Sequence, residues 1–151
     1  MHYFFDSSAL AKLFHPEQGS DTVIEIFAER RNRAFTSRLA VVELTSVAGI
    51  KVRTGEITAE TASAFLADVA ESADSQRFII QRILDEDYRQ AQALLTQYAQ
   101  GHSLRTLDSL QLASAMRLRE RTHIDFFVTS DRTLAKVAAF EGFAVSIPEE
   151  A

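Results

Sequence analysis

At 151 residues, 46% hydrophobic and 25% charged, the chain has the composition of one globular domain large enough to bury a real core. Its 16 basic and 21 acidic residues, net −5, argue against a passive nucleic-acid binder with a basic surface, though not against a nucleic-acid enzyme whose acids hold divalent cations. The lack of cysteine excludes disulfides and thiolate metal sites and suits a reducing cytoplasm; no apolar run is long enough to span a bilayer, and Asp6 and Lys12 interrupt any signal peptide.

Tyr3, Phe4 and Phe5 form a short aromatic run, which suits a central strand covered on both faces. Asp6 ends it, and residues 7–14 read as a helix, so Asp6 sits where a strand gives way to a helix N-terminus. In open parallel sheets that edge carries the ligand crevice, although an Asp there also serves as a plain helix cap. After Pro16 and Gly19 a helical pattern covers 22–31, and 34–36 reads as a strand. Residues 37–52 and 58–73 are two helices, an αα-hairpin expected to stand away from the sheet as an arm. A strand at 78–80, a helix at 85–98, the break at Gly101 and a helix at 106–121 follow. A strand at 124–129, a helix at 132–140 and a strand at 143–147 close the chain. Strands alternate with helices, without an internal repeat or linker. That predicts a single α/β domain over 1–151, a three-layer α/β/α sandwich with a parallel sheet.

Four carboxylates stand in unusual places. Glu43 has Leu39, Val47 and Ile50 as its lateral helical neighbours, so it falls on an apolar stripe. An unpaired charge buried there is costly, and it must protonate, find a partner or bind a metal; the alternative is a partly exposed Glu at the stripe's edge. Asp108 has Leu104, Leu112 and Ala115 beside it, against the alternative of a surface Asp favoured by the helix dipole. Asp131, like Asp6, marks a strand's carboxyl end, with capping again the alternative. Acids that converge repel unless a cation intervenes. With no Cys or His cluster among them, an all-oxygen site suits Mg2+ or Mn2+, and the chemistry such a site supports is metal-assisted phosphodiester hydrolysis.

The segments D-S-S-A-L-A-K (6–12), A-V-V-E-L (40–44), R-T-L-D-S-L-Q-L-A-S-A (105–115) and V-T-S-D-R-T-L-A (128–135) together resemble the PIN domain, and more narrowly the VapC-type toxins of toxin–antitoxin pairs. The resemblance spans nearly the whole chain, with the motifs in order. It implies a PIN-like sandwich with a sheet of about five parallel strands and a Mg2+- or Mn2+-dependent endoribonuclease. Carried over by position, it implies an acidic site of Asp6, Glu43, Asp108 and Asp131. Asp6 and Asp108 are then the strongest metal ligands, and Glu43 and Asp131 bind metal or orient water. Ser8 supports Asp6, Thr129 or Ser130 supplies the hydroxyl near the last acid, and Ser109 fits the small or hydroxyl position after the third. It also implies an RNA substrate, a small VapB-like antitoxin that blocks the pocket with a basic side chain, and a toxin homodimer.

Lys12, Arg38, Arg105 and Arg132 lie near the acids in sequence and are candidates for RNA phosphate contacts, though each is more simply a solvated surface charge. His2, His15, His102 and His123 are scattered without zinc spacing; His15, after the first helix and before Pro16, is near enough to reach the site's rim but is assigned no role. Two other phosphoryl-transfer families fail on pattern. A haloacid-dehalogenase-like phosphatase needs a second Asp where Ser8 stands, and a receiver domain needs paired acids after its first strand. The rival from another class is a catalytically silent PIN module that binds RNA or a protein.

Overall fold

The computed structural model describes residues 1–151. The aromatic run forms strand β1 (His2–Phe5), flanked by β2 (Arg33–Ser37) on one side and β4 (Phe126–Val128) on the other. β3 (Ile79–Gln81) lies outside β2 and β5 (Val145–Ser146) outside β4. The five strands are parallel in the order β3-β2-β1-β4-β5. Seven helices cover the sheet: α1 (Ser7–Leu10), α2 (Ser20–Ala28), α3 (Arg38–Arg53), α4 (Ala59–Asp74), α5 (Asp85–Tyr98), α6 (Thr106–Arg119) and α7 (Arg132–Phe140). This is the three-layer α/β/α sandwich that the alternation predicts.

The period of two along β1 divides its aromatics between two cores. Phe4 enters the core formed with α5, α6 and α7; Tyr3 and Phe5 enter the one formed with α1 to α4. Cross-strand stacking supports the register, since Phe4 faces Phe127 with ring centroids 5.7 Å apart and Tyr3 faces Phe126 at 5.6 Å. With Phe4, Phe5, Phe127 and Val128 fully buried, the carboxyl-terminal parts of β1 and β4 are enclosed beneath whatever follows them.

Three local features differ from the sequence reading. The helix after Asp6 makes only one α-turn before tightening to a 3-10 turn over Ala11–Leu13. The last two strands are shorter than their apolar runs, because Phe143 turns into the core and Pro148 opens a 3-10 turn, Pro148–Glu150. The hairpin of α3 and α4 does not stand away from the sheet. Ala40, Leu44 and Ala48 of α3 and Ala62, Phe65 and Val69 of α4 share the core of Phe5 and Val128, and even the connecting turn packs Ile57 against it. Alanines at 40 and 48 let the α3 backbone approach closely, and Phe65 packs edge-on against Phe14.

The C-terminal turn is tied back to the first helices. Gly19 has φ +86° at the N-cap of α2, and a Cβ there would stand 2.9 Å from Pro148, so only glycine admits this contact. Thr22 Oγ1 donates to the Pro148 carbonyl at 3.2 Å. No helix is long and apolar enough to cross a membrane.

Candidate active site

From β1 the chain winds outward through β2 and β3, then returns to the other side of β1 for β4 and β5. The strand order therefore reverses between β1 and β4, and in open α/β sheets ligands bind outside the carboxyl ends at such a switch point. Asp6 follows β1 there, and Thr129, Ser130 and Asp131 follow β4; Asp6 N–H donates to the Val128 carbonyl at 3.1 Å across the junction.

Asp6 is buried and makes four hydrogen-bond contacts with neutral groups. Its Oδ1 caps α1 by accepting from Ala9 N–H at 2.9 Å. Ser8 Oγ reaches both carboxylate oxygens, at 2.8 and 2.9 Å, and Thr129 Oγ1 donates to Oδ2 at 2.7 Å. No Lys or Arg pairs with it. Burial therefore dominates and pushes the carboxyl up to about 6; the amide and hydroxyl donors oppose that rise, and the charge of Asp108 adds to it. Ser8 and Thr129 are themselves held, as Ser130 N–H donates to Ser8 Oγ and Asp131 N–H to Thr129 Oγ1, both at 3.0 Å. Ser130 Oγ is buried without a partner.

Asp108 lies in the first turn of α6, a helix so enclosed that ten of its fourteen residues are buried, Asp108 among them. Arg105, at the N-cap position, grips it with a two-pronged fork, Nε to Oδ2 at 2.9 Å and Nη2 to Oδ1 at 3.3 Å. The same Nη2 reaches Asp131 Oδ2 at 3.3 Å, while Asp131 Oδ1 caps α7 through Leu134 N–H at 2.9 Å. Hydrogen bonding to Asp108, and then the charges of Asp108, Asp131 and Glu43, hold the Arg105 guanidinium above its ordinary value.

Glu43 departs from the expected burial. The buried stripe of α3 is Ala40, Leu44 and Ala48, whereas Leu39, Glu43 and Val47 are half-buried at its edge and Ile50 is exposed. The edge faces a cleft of about 480 Å³, lined among others by Ser7, Ser8, Glu43, Arg105 and Ser130. Glu43 is held by residues that single-position reading passed over. Ser7 Oγ donates to Oε2 at 2.7 Å and Gln111 Nε2 to Oε1 at 3.1 Å. Gln111 is buried and anchored in turn by Ser37 Oγ, which donates to its Oε1 at 2.6 Å and caps α3. A signal existed: Gln111 is three residues after Asp108, so the two share a helix face, and an amide on an enclosed helix needs partners.

The structure thus brings the four acids to one sheet edge, but in three separate hydrogen-bonded sets. Asp6 opens to the cleft through Ser8. Asp108 and Asp131 are joined by Arg105, and Glu43 is strung between α1 and α6. No three Asp, Glu, His or Cys side chains stand close enough to share one ion. Ser109 turns away, donating to the Thr106 carbonyl at 2.7 Å.

Among the flanking cations Lys12 departs from the sequence reading, while Arg38 and Arg132 are surface charges as expected. Lys12 is neither solvated nor free for phosphate; it is buried, pairing with Glu149 at 2.8 Å and Glu17 at 3.1 Å and donating to the Gln18 carbonyl. Burial lowers its pKa, but hydrogen bonds to Glu149 and Glu17 outweigh that and hold it raised. Arg38 is exposed, and Arg132 pairs with Glu150 at 2.8 Å. His15 lines the cleft 3.6 Å from Glu56, while His2 and His123 meet at the opposite sheet end.

The family model of the PIN domain matches residues 3–140. The chain belongs to the PIN domain family. Solved structures agree on the fold of this PIN domain. VapC20 of Mycobacterium tuberculosis, described as a sarcin-ricin loop cleaving toxin, aligns with TM-score 0.66 and 18% identity over 94% of this chain and 96% of that one. VapBC2 of Rickettsia felis, solved bound to a promoter DNA fragment, aligns at 0.63 and 15% over 97% and 98%. VapBC-5, a toxin–antitoxin family member of M. tuberculosis, aligns at 0.59 and 19% over 97% and 96%. No curated protein matches the chain by sequence.

Proposed function

We propose that this PIN domain is a Mg2+- or Mn2+-dependent endoribonuclease, the cytoplasmic toxin of a VapBC-type toxin–antitoxin pair. The observation that carries this is Asp6: a buried carboxylate at the switch point, with neutral donors only, beside three further acids and an open cleft. A group in that state is costly to ionise without a cation.

The donor set fits a hard dication. It is all oxygen, and Mg2+ is bound through one or two carboxylates, with water and substrate phosphate in the other positions, so a three-acid cage is not required. Asp6 and Asp108 would hold the ion. When bound, it lowers the pKa of water and stabilises charge on phosphoryl oxygens. Ser8 and Thr129 fix the Asp6 carboxylate. Glu43, steadied by Ser7 and Gln111 yet open to the cleft, would orient the attacking water and accept its proton, and Asp131 would bind metal or orient water with it. Exposed Arg38 and Arg105 supply phosphate contacts that the chain's net acidity otherwise denies. The partners are an RNA substrate, a VapB-like antitoxin and a second copy of the chain. This reading is supported by similar structures that are VapBC assemblies or, in Klebsiella pneumoniae, a toxin–antitoxin complex.

The test is incubation of the purified chain with total RNA in Mg2+ or Mn2+, with chelator and Asp6→Asn as controls. Metal-dependent cleavage lost in the variant supports the proposal. The Arg105 bridge, which neutralises two of the acids, favours the second reading, a silent module that binds RNA or protein. An intact RNA pool in both metals, together with tight partner binding, would establish that reading instead.

A further inference from the structure

Arg105 makes three hydrogen bonds to two of the four acids, yet its side chain is 73% exposed. Although it stands at the N-cap of α6, its side chain makes no capping bond there; its polar contacts are with the acids. Asp108 is buried but the Arg105 end of the pair is wet, and hydration of the guanidinium offsets part of the attraction. The guanidinium occupies the same Asp108 oxygens that a dication would take, and two cations on one carboxylate repel. It also lines the cleft beside Glu43, Ser8 and Ser130, and its planar fork matches a phosphate as well as a carboxylate.

We propose that Arg105 is a displaceable counter-cation, neutralising Asp108 and Asp131 until a divalent ion binds and then passing its guanidinium to a backbone phosphate of RNA in the cleft. This rests on the nuclease reading above and adds a competition within it. One side chain restrains metal loading and, once released, strengthens substrate binding. Removing it therefore moves two affinities in opposite directions, which general damage to the site does not do.

The experiment is calorimetric titration of Mn2+ into the full chain, as wild type, Arg105→Met and Asp6→Asn. Anisotropy of a labelled single-stranded RNA in Ca2+ is measured alongside, with its integrity checked on a gel. Arg105→Met is expected to bind Mn2+ about tenfold more tightly, the scale of one nearby charge at a wet site. It is expected to bind RNA about tenfold more weakly, with the slope of log affinity against log salt reduced by about 0.7, one phosphate contact to a single strand. Arg105→Lys restores the salt slope without the full affinity. Mn2+ binding that is unchanged or weaker in Arg105→Met, or unchanged RNA binding, overturns the inference. If wild type binds Mn2+, Asp6→Asn loses it and Arg105→Met gains nothing, the metal reading stands and only the displacement fails. If wild type binds no Mn2+, or Asp6→Asn keeps it, the metal reading fails and the displacement with it.

Discussion

Two buried aspartates show what separates architecture from a poised site. Asp87, in the first turn of α5, is 1% exposed; Asp6, after β1, is 3% exposed. Asp87 is compensated. Arg117 Nε, itself buried on α6, donates to it at 2.7 Å, and Leu84 N–H donates at 2.8 Å. Arg117 also donates to the Arg82 carbonyl, so the pair closes on itself and clamps α5 to α6. Asp6 is equally enclosed but has no cation, and its carboxyl titrates near 6. Burial is common to both; compensation differs. Asp87 has its cation within the fold, while the uncompensated acid retains an unmet demand for positive charge.

Substitution breaks the comparison most sharply at Asp6. Asp6→Asn is expected to reduce metal-dependent RNA cleavage by about ten-thousandfold, roughly 5 kcal/mol of barrier, in a single-turnover assay. At the other acid the effect moves to stability. Arg117→Met strands Asp87 and is expected to cost about 3–5 kcal/mol in urea unfolding, leaving cleavage by the folded fraction within about twofold. The double change Asp87→Leu with Arg117→Met should recover most of that loss, because it removes both charges.

Asp6 also carries a pH dependence of its own. The Asp6 carboxyl titrates near 6 when folded against 3.8 ordinarily, so between those values the folded chain holds more protons than the unfolded one. Its contribution is fully present below pH 4 and is lost as pH rises through 6, by up to about 3 kcal/mol at 1.36 kcal/mol per unit. Asp6→Asn should therefore be more stable than wild type at pH 8 and lose that advantage near pH 4, as denaturant midpoints across pH will show. Mn2+ at pH 8 should raise the wild-type midpoint and leave the variant's unmoved. The smallest effect is at Gln111. Gln111→Leu leaves Ser37 and Glu43 short of a partner, for about 1–2 kcal/mol of stability and about tenfold in cleavage.

The sequence pattern made most of the layering legible. Aromatic and β-branched runs at 3–5, 34–36 and 126–128 mark strands, and the intervening 3.6-residue periods mark helices, because each element must bury one face. The strand order was not legible, since nothing local says that β4 returns beside β1. Nor was the posture of the hairpin, which depends on alanines meeting a sheet formed elsewhere. Among the candidate acids, Asp6 and Asp131 were visible at strand ends and Asp108 by its apolar neighbours. Glu43 was placed too deep, because helical periodicity gives a side chain's direction but not where the packed surface ends. Lys12 was misplaced for a different reason, its partner Glu149 lying at the far end of the chain.

By itself the sequence determined which segments become strands and helices, which residues are driven inward, and that two acids follow strand ends. These properties depend on neighbours a few positions away. The tertiary structure alone decided compensation: that Arg117 answers Asp87, that Glu149 and Glu17 answer Lys12, that Arg105 spans Asp108 and Asp131, and that Asp6 meets only hydroxyls and an amide. Charges interact through space at a few ångströms, whatever their separation along the chain, so the sign and strength of each acid's surroundings exist only once distant segments have packed.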